Sequence, residues 1–168
     1  MYTYSVAAQA KEHTQVEAGI HGTYFLVFGE AGWGYGASVK LLLPVKGKEA
    51  SITAGIVVDR LQENKWLTNI PPPVTLINAV GGYRKMLHRF FIEPQVGIGF
   101  IIETNKADYR WEEDKTYALL DLFPGIESGI QMGAGTFSVS YRLNFRDPFK
   151  DAVYSMFSLK MAYRIGGR

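Results

Sequence analysis

Residues Ile92–Glu103 read IEPQVGIGFIIE, and this stretch decides the fold. Every second residue from Ile92 to Ile102 is apolar, whereas the intervening positions carry mostly glutamate, glutamine and glycine. Because successive side chains of a strand point to opposite faces, the pattern predicts a β-strand with one apolar face and one polar, glycine-rich face. The function then depends on which face meets the solvent, and on whether that solvent is water or lipid.

The same alternation returns about eight times along the chain. The predicted strands cover residues 15–27, 33–45, 51–59, 74–85, 92–103, 117–131, 137–145 and 157–165. Glycine-rich or polar stretches near 29–32, 46–49, 87–89 and 132–135 predict short turns, and longer loops are expected over 60–73, 104–116 and 146–152. Eight strands are about the smallest number that closes into a barrel filled by side chains. We therefore predict an all-β, eight-stranded antiparallel up-and-down barrel.

Composition narrows the class of protein further. The chain has 168 residues, 47% of them hydrophobic, which is enough for one domain with a full core over residues 1–168. Residues 1–13 are interpreted as an N-terminal extension, either a partial signal remnant or an ordinary terminus. The net charge of +2 argues against a nucleic-acid partner. The chain has no cysteine, which excludes disulfides and cysteine-based metal sites.

Two kinds of closed barrel fit the alternation, a soluble lipocalin-like carrier with an apolar interior and a transmembrane barrel with a polar interior. The glycines favour the transmembrane barrel, because they lie on the polar face, and a crowded interior needs small residues whereas a water-facing surface does not. Aromatic residues such as Trp33, Tyr83 and Tyr163 fall near strand ends on the apolar face, as they do in the interfacial girdles of membrane proteins. The alternation of short and long connections agrees.

In a transmembrane barrel the polar face lines the lumen. Its few charges are mixed in sign and nearly alternate from strand to strand, as a paired internal network requires. The predicted lumen network contains Glu17, His21, Lys40, Asp59, Arg84, Glu93, Asp121, Glu127, Arg142, Lys160 and Arg164. Pro94 and Pro124 fall inside predicted neighbouring strands and cannot donate to a ladder, so we expect a bulge or a locally irregular patch there.

The chain resembles small outer-membrane β-barrel proteins of Gram-negative bacteria, and its residue pattern is most similar to that of the outer-membrane barrel proteins of the Bacteroidota. The resemblance is carried by Gly82-Tyr83-Arg84 followed by Phe91–Gly97, a "GYR … FIEPQVG" run, and by the closing Met161–Ile165. It covers nearly the whole chain as architecture and about fifteen residues as a motif. It implies a fold and an integral location in the bacterial outer membrane, and it implies no single activity.

The sequence gives little sign of catalysis. His21 lies beside Glu17 on the polar face and is interpreted as a hydrogen-bonded member of the lumen network. No phosphate loop, metal-ligand spacing or nucleophile–base pair is visible, so we predict no catalytic residue, no metal and no cofactor. The long loops are more suggestive, because Trp66, Leu67 and Ile70 in one, and Tyr109 and Trp111 in another, are apolar for external loops; they form the candidate partner-binding loops.

We therefore predict a non-catalytic integral outer-membrane barrel that acts as a structural or accessory subunit. Its expected partners are outer-membrane lipid or lipopolysaccharide and other outer-membrane proteins in a complex, bound through external loops or the barrel wall, with no nucleic acid. The alternatives are an enzyme that modifies membrane lipid, a narrow, porin-like pore for small polar solutes and a soluble lipocalin-like carrier.

Overall fold

The computed structural model describes residues 13–27, 30–62, 74–105, 115–146 and 152–166. Eight antiparallel strands form a closed barrel in which each strand pairs with the next and β8 pairs with β1, so the predicted fold class is confirmed. The strands are β1 Gln15–Val27, β2 Glu30–Pro44, β3 Ala50–Gln62, β4 Val74–Leu87, β5 Phe90–Asn105, β6 Lys115–Met132, β7 Gly135–Arg146 and β8 Ala152–Ile165. Within the described ranges, no helix is long and apolar enough to cross a membrane.

The connections divide the barrel into two ends. The end that carries the tight turns at 45–49, 88–89 and 133–134, together with the start of β1 and the finish of β8, is called the turn end. The opposite end, called the loop end, carries the connections that span residues 28–29, 63–73, 106–114 and 147–151. β2 begins at Glu30 although a turn was predicted over 29–32, since residues 30–32 continue the pairing with β1; Gly32 leaves room there for the ring of Phe25.

The strands are staggered as they pass around the barrel. A path that starts at Gln15 on β1 and follows paired residues through β2 to β8 returns to β1 at Phe25. The strands are therefore offset by 25 − 15 = 10 residues around the barrel. Such a stagger tilts the strands against the barrel axis. It also brings residues from distant strands to the same height in the interior.

The apolar face points outward. Large hydrophobic side chains cover the outer wall, among them Ile20, Val96 and Leu159, which are 69%, 67% and 70% exposed. Among strand residues whose side chains the structure describes, the only charged ones on this face are Arg60, near the loop end, and Lys85, near the turn end. A soluble lipocalin-like carrier requires the opposite arrangement, with the apolar face inside.

Glycines on the inward face make room for large neighbours across the strand pair. A Cβ atom on Gly97 would overlap the ring of Phe123, and one on Gly36 would overlap the imidazole of His21. The interior of an eight-stranded barrel is narrow, so each ring or long side chain needs a small residue beside it. This explains why the glycines share a face with the charges.

Pro94 and Pro124 interrupt the ladders without shifting them. In the ladder between β4 and β5, Gly82 pairs with Gln95 and Lys85 pairs with Ile92, but the two residue pairs expected between them are missing. The ladder between β6 and β7 has a similar gap of two pairs beside Pro124. The register is the same on both sides of each gap, so the sheet contains the expected irregular patch and no bulge. A proline has no N–H to donate, which accounts for the missing pairs.

Substitution of two glycines by alanine distinguishes the crowded inner face from the outer wall. A Cβ on Gly99 would run into the backbone carbonyl of Ile77, which cannot move aside, whereas a Cβ on Gly22 on the outer wall meets nothing within 4 Å. We expect Gly99→Ala to lower the free energy of unfolding by about 1–3 kcal/mol. Gly22→Ala, the matched control, should leave it unchanged or slightly raised. Urea unfolding of the refolded barrel measures both, and equal values for the two variants would contradict this account of the interior.

Candidate functional site: the barrel interior

Three glutamates form the centre of the interior network toward the turn end. Glu17, Glu93 and Glu127 come from β1, β5 and β6, and their side chains are almost completely buried. Four cationic side chains surround them, and we call the seven residues the glutamate cluster: Glu17, Glu93, Glu127, Lys40, Arg84, Lys160 and Arg164. An unpaired buried charge is very costly, so this many carboxylates require cations at hydrogen-bond distance.

Lys40 and Arg84 each bridge two glutamates. Lys40 Nζ donates to Glu93 Oε1 at 2.9 Å and to Glu127 Oε2 at 2.7 Å. Arg84 Nη1 donates to Glu17 Oε2 at 2.7 Å, and its Nε donates to Glu93. The Arg84 guanidinium also lies 4.1 Å from the centroid of the Phe91 ring, a cation–π distance. These contacts cross the lumen and connect β1, β2, β4, β5 and β6.

Lys160 and Arg164 connect the last strand to the first. Lys160 Nζ donates to Glu17 Oε1 at 3.0 Å and to Glu127 Oε1 at 3.5 Å. Arg164 Nε donates to Glu17 Oε2 at 3.2 Å. Glu17 therefore receives bonds from three cationic side chains, two of them on β8.

Neutral side chains complete the hydrogen bonding of the carboxylates. Gln95 Nε2 donates to both Glu93 and Glu127 at 2.9 Å. Thr53 Oγ1 donates to Glu93 at 2.8 Å, and Ser138 Oγ donates to Glu127 at 2.7 Å. These bonds leave the three glutamates well satisfied, whereas Arg164 Nη2 is a buried nitrogen of the cluster without a hydrogen-bond partner among the described residues.

A second group surrounds Asp59 at mid-barrel. Arg142 binds its carboxylate through both terminal nitrogens, at 2.8 Å and 2.9 Å, which is the bidentate geometry that a guanidinium prefers. His21 Nε2 lies 2.7 Å from Asp59 Oδ1, and Thr23 donates to the same oxygen at 3.2 Å. Thr23 also shares a hydrogen bond of 2.9 Å with Ser158.

The arrangement of His21 differs from that of a catalytic triad. Its ring bonds to an aspartate, as a triad histidine does, but no serine among the described residues hydrogen-bonds to it. His21 is also only 8% exposed inside the barrel. Within the described residues no three His, Cys, Asp or Glu side chains gather in a way that could hold a metal ion.

Asp121 forms a third group with two asparagines. Its Oδ2 atom accepts from Asn78 Nδ2 and from Asn144 Nδ2, each at 2.7 Å. All three side chains are fully buried. The three residues lie on β4, β6 and β7, so this group connects three strands inside the barrel.

Toward the loop end the interior is apolar, which corrects the expectation of a polar lumen along its whole length. Phe25, Leu61, Leu76, Ile101 and Met156 are buried together with Val74 and form a plug above the charged groups. A second apolar set, Val57, Val80 and Phe123, lies among the polar groups. The sequence carries a faint signal of the plug, because strand ends such as Tyr24-Phe25-Leu26 are apolar on both faces.

Side chains fill the lumen almost completely. The cavity bordered by His21, Lys40, Glu127, Arg142 and Lys160 has room for about 20 Å³, which is enough for roughly one water molecule. Together with the apolar plug, this leaves the described barrel without an open bore.

The residues predicted to line the lumen lie inside the barrel. All eleven residues of the predicted lumen network point into the barrel; ten of them are buried, and Arg164, near the turn end, is half-buried. The set contains five carboxylates and five lysine or arginine side chains, so its formal charges cancel apart from His21. The predicted partner-binding residues Trp66, Leu67, Ile70, Tyr109 and Trp111 lie outside the described residues.

Comparison with solved structures places the fold among small bacterial barrels. The crystal structure of Ail, the attachment invasion locus protein of Yersinia pestis, superposes with a TM-score of 0.65 and 11% identity, covering 90% of this chain and 97% of Ail. Neisserial surface protein A gives 0.57 and 7%, covering 89% and 96%. The N-terminal β-barrel domain of Pseudomonas aeruginosa OprF gives 0.55 and 10%, covering 89% and 97%.

At these identities the likeness shows the fold alone. No protein-family sequence model and no curated protein sequence matches the chain. The small outer-membrane barrel predicted from the sequence is therefore supported as an architecture, and the narrower Bacteroidota affiliation remains a prediction.

A double-mutant cycle on the Asp59–Arg142 pair tests whether the interior charges act as a matched set. Arg142→Met leaves a buried carboxylate without its bidentate partner, and we expect it to lower the free energy of unfolding by about 3–5 kcal/mol. Asp59→Asn together with Arg142→Met removes the orphaned charge and should recover at least half of that loss. Urea unfolding in detergent micelles measures the cycle; purely additive effects would mean that the two side chains do not stabilise each other.

Proposed function

We propose that this chain is a non-catalytic integral barrel of the bacterial outer membrane, acting as a structural or accessory subunit. The proposal rests on the outer wall of the barrel, which is apolar between Arg60 near the loop end and Lys85 near the turn end. A wall of this kind would be insoluble in water but is well suited to lipid. In lipid every backbone group needs a partner, and a barrel closed between β1 and β8 leaves no strand edge.

The spacing of the two outward charges fits a bilayer. Arg60 on β3 pairs with Thr75 on β4, and Lys85 lies ten residues further along β4 (85 − 75). Ten residues at about 3.4 Å each, on a strand tilted by about 40°, span roughly 26 Å along the barrel axis. This agrees with the apolar band of about 25 Å in outer-membrane barrels.

Aromatic side chains support the same placement. Tyr24, Trp33 and Tyr35 stand exposed on the outer wall near the loop end, and Tyr83 and Tyr163 do so near the turn end. Tyrosine and tryptophan prefer the two interfaces of a membrane. Short turns belong on the periplasmic side of such barrels and longer connections outside, so the turn end is assigned to the periplasm. Among structural neighbours, Ail is described as an outer-membrane protein and has been studied in a phospholipid bilayer nanodisc.

Partner binding is assigned to the external loops and the barrel wall. The cavity between His21 and Lys160 holds about one water, and an apolar plug covers the charged groups in the described part of the barrel. This disfavours the alternative of a narrow pore. The exterior is what remains available for contacts with lipopolysaccharide or with other outer-membrane proteins, and a Bacteroidota-type complex subunit is the assignment we favour.

Membrane extraction tests the proposed location. If the outer wall faces lipid, the protein should be released from membranes only by detergent. Its band in SDS electrophoresis should shift on boiling, because a closed barrel resists SDS until heated. Release in plain buffer without a heat shift would contradict the proposal.

Deletion of a loop segment tests the partner-binding surface. Removing residues 65–72, which include Trp66, Leu67 and Ile70, should leave the heat-shifted band intact because the segment lies outside the eight strands. Capture of partner proteins from detergent-solubilised outer membranes should be lost. A matched control replaces the same residues by a Gly/Ser segment of equal length. A barrel that no longer folds after either change would show that the loop has a structural role.

A further inference from the structure

We infer that the turn end carries a binding site for the headgroups of anionic phospholipids in the periplasmic leaflet. The site consists of Lys46, Lys48, Lys85 and Arg89, which we call the basic rim. All four side chains are exposed. The inference rests on the proposed membrane location, and it adds a ligand class and a leaflet to it.

Backbone contacts hold the two parts of the basic rim together. Lys46 and Lys48 lie in the turn between β2 and β3, whereas Lys85 and Arg89 lie at the turn between β4 and β5. The amide of Met86 donates to the carbonyl of Glu49 at 2.8 Å, and Lys85 pairs with Ala50 across the strands. The four cations therefore share one side of the barrel mouth.

The basic rim carries more positive charge than the whole chain. The lumen charges cancel, as shown above, and the chain has a formal charge of +2. The four cations of the rim and its single acid, Glu49, sum to 4 − 1 = +3 before His88 is considered. In the described part of the molecule, no ion pair neutralises any of the four. The third turn, Gly133–Ala134, has no charged residue of its own, and Arg164 beside it is paired with Glu17. Among the described residues, the exposed lysine and arginine side chains of the turn end therefore lie on one side.

The surroundings of Lys85 favour a lipid over a water-soluble partner. Lys85 stands on the outer wall between Tyr83 and Leu87, which are 41% and 53% exposed, and Phe90 beside them is 60% exposed. Acyl chains can cover these apolar side chains while the ammonium group reaches the phosphate at the membrane surface. A soluble acidic protein would have to enter the bilayer to make the same contacts.

The turn that presents Arg89 has an unusual backbone. His88 adopts a φ of 63°, a region in which residues other than glycine are disfavoured. Two-residue hairpin turns with positive φ at this position usually carry glycine or asparagine. His88 occupies this position, where histidine is more frequent than most residues other than glycine, and Arg89 follows it at the tip of the turn.

Two single substitutions form a matched test, since Lys85 and Arg60 are the outward charges at opposite ends of the band. The whole chain is refolded into nanodiscs of phosphatidylcholine with a minor share of phosphatidylglycerol. The lipids that stay bound after mild detergent extraction are then quantified by native mass spectrometry. Wild-type protein should retain phosphatidylglycerol above its bulk share. Lys85→Gln should lower this enrichment by about fivefold, as one surface cation contributes. Arg60→Gln should not change it, and Lys85→Arg should preserve it.

The K46Q/K48Q/K85Q/R89Q variant should lose the enrichment entirely, with its heat-shifted band showing that the barrel is folded. Equal enrichment in wild type and in this variant overturns the inference while leaving the proposed location intact. An equal loss in Arg60→Gln overturns it as well, because the effect would then be one of general charge. If the variant keeps its phosphatidylglycerol but loses binding to soluble polyglutamate, the rim serves a water-soluble partner and the inference is wrong. Failure of the wild type to enter nanodiscs would refute the proposed location itself.

Discussion

The pairing of β1 with β8 removes the last free edge of the sheet and encloses a narrow interior. That enclosure requires small residues next to large ones, which is why glycine lies beside the rings of Phe25 and Phe123. It also removes the polar face from water, so every charge on that face needs a partner inside the barrel. The glutamate cluster and the Asp59 group meet this requirement with bridging lysines and a bidentate arginine.

Charge pairing in the interior and apolarity of the wall depend on each other. A strand has two faces, and in this chain the polar face is fully committed to the interior network. The outer face is left with aliphatic and aromatic side chains, and its two described strand charges stand near the ends, at Arg60 and Lys85. The division of faces that places the charges inside the barrel is therefore the same division that leaves an apolar outer wall, as the proposed lipid location requires.

Much of this architecture could be predicted from the sequence, because period-two alternation is a local property. Ile92–Glu103 already contains both faces of a strand, and the glycines on its polar side indicate which face is crowded. The pairing of particular charges could not be predicted. Lys40 on β2 reaches Glu93 on β5 across the lumen, and that contact depends on the stagger of the whole barrel. The apolar plug was missed because residues such as Phe25 have apolar neighbours on both sides in the chain, so the pattern there does not show which residue turns inward.

The contacts of Glu17 have a consequence for the order of folding. Its partners Lys160 and Arg164 lie 143 and 147 residues further along the chain, so the carboxylate on the first strand has only Arg84 of its three cationic partners until the last strand arrives. Contacts of such long range are slow to form. A half-built sheet spread flat in a bilayer would expose its charged face to hydrocarbon. In the proposed membrane location the chain would have to curl while it inserts, with its polar face turned inward, so that insertion and closure become a single cooperative event.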